Sequence, residues 1–314
     1  MRREVLLGNE AIARGLVEGG CQVMTSYPGT PASEILPGVI RFKEEEGLNI
    51  YIEWSVNEKV AFEVALAASY TGKRAAVAMK QVGLNVALDP LMSASYTGVK
   101  GGFVLIVADD PGPYSSQTEQ DSRALATFAK IPVFDPSSPQ EAKEMVKRAF
   151  GLSERYELPV MVRPTSWVCH ARQGIEGGEI LSLDSPPRFE KAPQRWAATP
   201  RFRYLLHREL NHKIREVASE NKITPVSVPE GAEVAIIASG VPYAHVHDLL
   251  GPMGLEERVA LYKVDLPYPL GRDGDEIVKG YPLILVLEET YPCLLYTSDA
   301  ADEGLGVDLG GRRI

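Results

Sequence analysis

A chain of 314 residues has room for about two domains, and its formal net charge of −9, with no offsetting basic cluster, argues against a nucleic-acid surface. A composition of 45% hydrophobic and 24% charged residues is that of a globular protein, and no run approaches a membrane span. The apolar piece after Met1-Arg2-Arg3 is too short for a secretion signal, and three cysteines far apart exclude a disulfide framework or an internal zinc or iron–sulfur site, so a cytoplasmic location is expected, with neither nucleic acid nor membrane as partner.

Asn9–Gly19 carries Ile12 and Leu16 four apart and ends in Gly19-Gly20, which predicts a short helix with a glycine stop. Cys21–Tyr27 reads as a strand. Pro31, after Pro28-Gly29-Thr30, suits the first turn of a helix reaching about Glu45. Strand Ile50–Trp54 precedes helix Asn57–Thr71, with Asn57 as N-cap and Glu58 in the first turn. Glu58 thus follows a strand end, where α/β folds place their ligands. Its carboxylate either complements the helix N-terminus or acts as a catalytic acid.

Arg74–Met79 is a buried strand, Leu84–Tyr96 a helix with Pro90 as a kink, and Gly102–Ala108 another buried strand. The polar stretch Asp109–Ser122 is a long loop, and long loops in compact domains are commonly functional. Helix Ala124–Ala129, strand Ile131–Phe134, a helix from Ser138-Pro139 to about Arg155 and strand Pro159–Arg163 complete a parallel sheet covered on both faces. Gly174–Pro200, proline-rich and aperiodic, reads as a linker. Arg201–Asn221 is an amphipathic helix with Leu205, Leu206 and Leu210 on one side. A smaller α/β unit follows, with strands Val234–Ser239, Leu261–Val264 and Leu283–Leu287 and helices near Tyr243–Leu250 and Asp275–Lys279. Cys293–Glu303 resembles the in-frame translation of a transposase sequencing adapter. Residues 293–314 are therefore expected to be a non-biological tail that packs poorly, with the natural sequence interrupted near Pro292.

Five segments occur in an order that resembles one family: GNEAIARG (8–15), SYPGTPASEI (26–35), EWSVNEKVAFE (53–63), KQVGLNVALDPLM (80–92) and ADDPGPYSSQTEQDSR (108–123). They are similar to the N-terminal region of 2-oxoacid:ferredoxin oxidoreductases, in particular the alpha subunits of the indolepyruvate type. ASGVPYAHV (238–246), VDLPYPL (264–270) and LVLEETYP (285–292) resemble the transketolase C-terminal-like domain of the same family. The resemblance implies a thiamine diphosphate pyrimidine-binding domain at 1–170, a linker and helix at 171–230, and a transketolase C-terminal-like α/β domain at 231–292.

In such enzymes a glutamate at a strand end bonds N1′ of the aminopyrimidine, and Glu58 stands at that position. A carboxyl group there favours the imino tautomer through which the cofactor loses its C2 proton. Glu53 and Glu63 are rivals, read as a strand-edge and a helix-face charge. Thr30 matches a threonine near the substrate carboxylate, or caps a turn. Gly29, where relatives carry a bulkier residue, leaves room that suits an aryl side chain. Gln81 and Asn85 face the cofactor or cap a helix. Glu119 and Gln120 line the substrate site or a subunit contact.

The resemblance further implies Mg²⁺ on a diphosphate half-site absent from this segment, 4Fe–4S clusters in a later region, and a beta subunit, ferredoxin, coenzyme A and a 2-oxoacid as partners in a heterotetramer. Asp273-Gly274-Asp275 is not the diphosphate motif, which the family places later. Cys169, His170, His207, His212, His245 and His247 fit no metal spacing. The alternatives are another thiamine-dependent 2-oxoacid decarboxylase or oxidoreductase, or a non-catalytic nucleotide- or coenzyme A-binding subunit. The last is disfavoured by the lack of a glycine-rich phosphate loop.

Overall fold

A computed structural model describes residues 3–183, 186–197 and 199–295, with short backbone strands at 307–308 and 312–313. In chain order come β1 (Arg3–Leu7), α1 (Gly8–Glu18), β2 (Val23–Ser26), α2 (Ile35–Glu46), β3 (Tyr51–Trp54), α3 (Glu58–Tyr70), β4 (Ala75–Lys80), α4 (Gln81–Thr97), β5 (Phe103–Ala108), α5 (Ser122–Ala129), β6 (Val133–Phe134), α6 (Pro139–Tyr156) and β7 (Val160–Val162). Then follow α7 (Ser166–His170), β8 (Arg172–Glu176), α8 (Pro193–Trp196), α9 (Pro200–Glu220), β9 (Thr224–Ser227), β10 (Val234–Ala238), α10 (Gly240–Leu250), β11 (Val259–Lys263), α11 (Gly274–Gly280) and β12 (Leu283–Leu287).

The larger sheet has the order β3-β2-β4-β5-β7-β6 and is parallel throughout. β5 and β7 are apolar on every residue, and β4 on all but its last, because both faces of the sheet are covered. Successive side chains alternate between two cores. Ala76, Ala78, Val104, Ile106, Val160 and Val162 meet Ile12, Leu16, Val39, Phe42 and Phe150 from α1, α2 and α6. Ala75, Val77, Met79, Phe103, Leu105 and Met161 meet Phe62, Ala65, Leu84 and Leu91 from α3 and α4. The smaller sheet runs β12-β10-β11-β9, parallel except for the antiparallel edge β9.

Several local expectations are corrected. The helix after Pro31 starts at Ile35, because residues 29–35 form turns closed by Ala32 N–H donating to Gly29 O (2.9 Å) and Ile35 N–H to Ala32 O (3.2 Å). α4 begins at Gln81, directly on the strand end, and continues through a buried Pro90 to Thr97. The stretch read as linker from Gly174 still belongs to β8, which pairs antiparallel with β1 and buries Ile175 and Leu6. β9 was not anticipated, and neither were β1 and α7. On α9, Leu206 and Leu210 are buried as expected, but Leu205 points outward at 61% exposure. Cys293 and Leu294 do pack, buried beside the smaller sheet, and their N–H groups donate to the Glu288 carboxylate at 2.9 and 2.8 Å. The remainder of the expected tail, from residue 296, lies outside the described residues apart from the two backbone strands.

A buried charge network joins the two sheets. Arg163 Nε donates to Asp109 (2.6 Å), and its Nη1 lies 3.3 Å from Asp135. Arg123 donates to Asp121 (2.6 Å) and approaches Asp135 at 3.3 Å. From the smaller unit, Ser239 Oγ donates to Asp135 (2.9 Å) and Thr290 Oγ1 to Asp121 (2.7 Å). Glu288 and Glu289 stand 3.6 Å from Arg123 and Arg163 respectively. Two guanidinium groups thus face five carboxyls. Burial raises Asp109, whereas at Asp121 burial is outweighed by the hydrogen bond from Arg123 and the charge of Arg163, which hold it well below the usual carboxylate range. Burial pushes Glu289 up to about 7, with Arg163 opposing and Asp135 adding to the shift.

Breaking one partner of such a network leaves buried charges unpaired. Arg163→Met should cost about 3–5 kcal/mol, against under about 1 kcal/mol for removing the exposed Arg155–Glu220 pair, as read by urea denaturation. The raised Glu289 carboxyl sets a pH dependence. Its ordinary value is 4.5, so between 4.5 and 7 the native state holds a proton that the unfolded chain has released. The Glu289 contribution to stability is complete below pH 4.5 and is lost as pH rises through 7. Glu289→Gln should therefore gain on the parent by roughly 1–3 kcal/mol between pH 5 and pH 8. A stability difference that does not change with pH would contradict this.

Candidate active site

The chain leaving β2 turns toward β3, whereas the chain leaving β4 turns the other way toward β5. The carboxyl ends of β2 and β4 therefore form a topological switch point, the place where open parallel sheets leave a crevice. Gly29 and Thr30 follow β2, Glu58 follows β3, and Lys80 and Gln81 end β4 and begin α4.

Asn57 caps α3, its Oδ1 accepting from Val60 N–H at 2.9 Å, and this fixes Glu58 as the first helical residue. The half-buried Glu58 side chain is turned onto α4. A Cβ built on Gly83 would stand 2.6 Å from Glu58 Oε1, so glycine at 83 makes the cradle in which the carboxylate lies. Among the described residues nothing hydrogen-bonds or ion-pairs with Glu58. Its rivals are engaged. Glu53 accepts from Tyr51 Oη (2.6 Å) and Ser55 Oγ (2.8 Å), bonds that hold it below the usual carboxylate range, and Glu63 is an exposed partner of Lys59 at 3.9 Å.

Gln81 is fully buried. Its Nε2 donates to Thr118 O at 3.4 Å, and its Oε1 has no partner. Asn85, one turn further along α4, is exposed. Thr30 is exposed as well, and its carbonyl accepts from Ser115 Oγ at 3.2 Å. The space at Gly29 is filled by a residue the sequence reading passed over: Lys80 Cγ and Cδ lie 3.1 Å from where a Cβ at 29 would be. Lys80 opens the segment 80–92, but a lysine ending a strand has no chemistry that its residue type and place announce, which is why it was missed.

The loop 109–122 closes over this end of the sheet. Asp110 organises it, accepting from Tyr114, Ser115 and Ser116 N–H at 3.1, 2.9 and 3.1 Å. Burial alone would raise this carboxyl, but the N–H donors hold it below the usual range. Asp109 and Asp121 pin the loop ends into the Arg163–Arg123 network. Glu119 and Gln120 are spent within the loop, on Gly112 N–H (3.1 Å) and Thr118 Oγ1 (3.1 Å). Gly29, Thr30, Glu58 and Gln81 thus all lie at the carboxyl end of the larger sheet, Asn85 is exposed one turn along α4, and Glu119 and Gln120 have local partners. Among the described residues no group of three or more histidine, cysteine or acidic side chains is arranged to hold a metal.

A family profile described as "Pyruvate flavodoxin/ferredoxin oxidoreductase, thiamine diP-bdg" matches residues 14–230. The chain is 42% identical, over 99% of its length, to indolepyruvate oxidoreductase subunit IorA of Pyrococcus abyssi, and 42% identical over 92% to that of Methanothermobacter thermautotrophicus. It spans about half the length of these relatives, 49% and 47% respectively. It is 28% identical over 54% of its length to 2-oxoglutarate synthase subunit KorA of Methanothermobacter thermautotrophicus. The fold is similar to a solved 2-oxoglutarate:ferredoxin oxidoreductase from Magnetococcus marinus, with a TM-score of 0.75 at 20% identity, covering 96% of this chain and 60% of that one. With a glutamate cradled by glycine at the switch point of a parallel sheet, and a profile covering most of the chain, the protein belongs to the thiamine diphosphate-binding family of pyruvate flavodoxin/ferredoxin oxidoreductases.

Proposed function

We propose that this chain is the pyrimidine-holding part of an indolepyruvate:ferredoxin oxidoreductase alpha subunit, and that Glu58 activates the cofactor. The whole enzyme converts an arylpyruvate and coenzyme A to an aryl-acetyl-CoA, carbon dioxide and reduced ferredoxin. Identity of 42% to indolepyruvate oxidoreductase subunits, against 28% to a 2-oxoglutarate synthase subunit, favours the aryl substrate class. The observation that carries the reading is the Glu58 carboxylate, cradled by Gly83 and without a protein partner among the described residues.

Thiamine diphosphate, when bound, supplies an acidic C2 carbon and an electron sink for decarboxylation. Glu58 holds and returns a proton at N1′ of the pyrimidine, from a helix start fixed by Asn57. Gln81 offers its unpartnered Oε1 to an N–H of the ligand, with Asn85 one turn outward. The Thr30 hydroxyl orients the substrate, and the 109–122 loop, including Glu119 and Gln120, excludes water from the crevice or meets another subunit. The diphosphate with its Mg²⁺, and the 4Fe–4S clusters, are held outside this chain. The beta subunit and ferredoxin are the partners, in the cytoplasm. Residues 1–170 form the pyrimidine domain, 171–230 a linker and helix, and 231–292 the transketolase C-terminal-like domain.

In the assembled enzyme, Glu58→Gln should slow hydrogen–deuterium exchange at C2 of bound thiamine diphosphate by roughly 10²–10⁴, while stability changes by about 0.3–1 kcal/mol. Glu53→Gln should leave exchange untouched. Slowing confined to Glu53→Gln would move the relay to that residue, and slowing by neither would overturn the assignment of the proton relay to a carboxylate of this stretch. Gly83→Ala tests the cradle separately. Its methyl displaces Glu58, so C2 exchange should fall at least tenfold, while the helix keeps or gains stability because alanine exceeds glycine in helix propensity by about 1 kcal/mol. Unchanged exchange in a folded Gly83→Ala protein would contradict the cradle's role.

A further inference from the structure

A 2-oxoacid is an anion, and this chain carries a formal charge of −9, so the crevice needs a local cation to hold such a substrate. The cations at the carboxyl end of the larger sheet can be sorted by partner. Arg123 and Arg163 are buried against carboxylates. Lys59 is paired with Asp89 at 2.8 Å. Lys80, among the described residues, has neither an ion pair nor a hydrogen-bond acceptor for its ammonium.

Lys80 is also held as a surface lysine is not. It is the last residue of β4 and the N-cap of α4, so the element junction fixes its backbone. Its stem runs over the Tyr27–Thr30 turn: Cγ and Cδ lie 3.1 Å, and Cε 3.7 Å, from the position of a Cβ at Gly29. A side chain with four rotatable bonds is thus confined along its stem while its charged end lacks an acceptor among the described residues. The next residue, Gln81, leaves a buried Oε1 unpartnered, a second polar atom at the same junction without a partner among the described residues. Glu58 borders the crevice from the Gly83 side, and no ion pair joins it to Lys80.

We propose that Lys80 pairs with the carboxylate of the 2-oxoacid substrate, and that Gly29 is glycine because the Lys80 stem occupies the space a side chain would need. This assignment rests on the reading of the crevice as the thiamine site. It gives Gly29 a role in seating the cation, where the sequence suggested room for an aryl group. The crevice then separates its two tasks by charge, with Glu58 serving the cofactor and Lys80 the substrate.

The test uses the complete subunit assembled with its partner subunit and loaded with thiamine diphosphate. Calorimetry compares indole-3-propionate with its uncharged amide, two non-reacting probes that differ in the carboxylate. Lys80→Met should weaken the acid by roughly 10–100-fold, the range for losing a charge-assisted bond, and leave the amide unchanged. In turnover, KM for indolepyruvate should rise to a similar extent with kcat within a few-fold of the parent, and Lys80→Arg should restore most of the loss. Gly29→Ala, which keeps the charge and pushes the stem by a few tenths of an ångström, should weaken the acid selectively as well, by less than Lys80→Met. C2 exchange and cofactor affinity should be unchanged in Lys80→Met, which also verifies that the site is folded. Equal weakening of acid and amide, unchanged acid binding, or a fall in cofactor affinity would overturn the assignment. If Glu58→Gln leaves C2 exchange intact, the proton relay fails by itself, and the acid–amide comparison still decides the role of Lys80.

Discussion

Asp135 is the hinge of this fold's electrostatics. It lies between Arg123 and Arg163 and accepts from Ser239, so it binds both of these arginines and the residue that starts α10 in the smaller unit. The same arginines hold Asp109 and Asp121, the two ends of the loop that covers the crevice. Inside a protein such charges persist only when each finds a partner, because an isolated buried ion is penalised by desolvation. Loop position, sheet-to-sheet contact and crevice shape therefore depend on one set of mutually neutralising groups. Carboxyls outnumber guanidinium groups in that set, and burial raises two of them, Asp109 and Glu289, the second of which lies nearest the surface and is pushed up to about 7.

The arrangement explains how a loop of mostly polar residues stays closed over a sheet end. Its ends are fixed by buried ion pairs, and its middle is folded around Asp110 through three backbone N–H groups. Two light contacts, Ser115 to Thr30 O and Gln81 to Thr118 O, connect it to the crevice walls. Firm ends and weak middle contacts leave the middle of the loop the easier part to open, since local opening follows regions with few buried contacts.

Much of the larger unit was legible in the sequence because its strands are short apolar runs separated by helical periods, and parallel order follows from that alternation. The position of Glu58 was legible for a local reason: Asn57 announces a helix start, and the preceding strand places it at the carboxyl end of the sheet. Features set by distant partners were not legible. β1 pairs with β8 across more than 160 residues, so neither strand carries its own signal. The turn at Pro31 depends on hydrogen bonds from Ala32 and Ile35 that no residue type announces. Leu205 and Leu206 are adjacent on a helix and cannot share a face, so α9 buries one of them. Lys80 was invisible because its meaning comes from what it lacks, an acceptor, and from the turn its stem crosses.

The central claim is that the Glu58 carboxyl places a proton on the pyrimidine of the cofactor. The most direct measurement is the ¹⁵N chemical shift of N1′ in labelled thiamine diphosphate bound to the assembled enzyme. The account predicts a protonated or strongly hydrogen-bonded N1′ in the parent enzyme and a shift toward the free, unprotonated value in Glu58→Gln, with the cofactor still bound. An N1′ shift identical in the two proteins would contradict it.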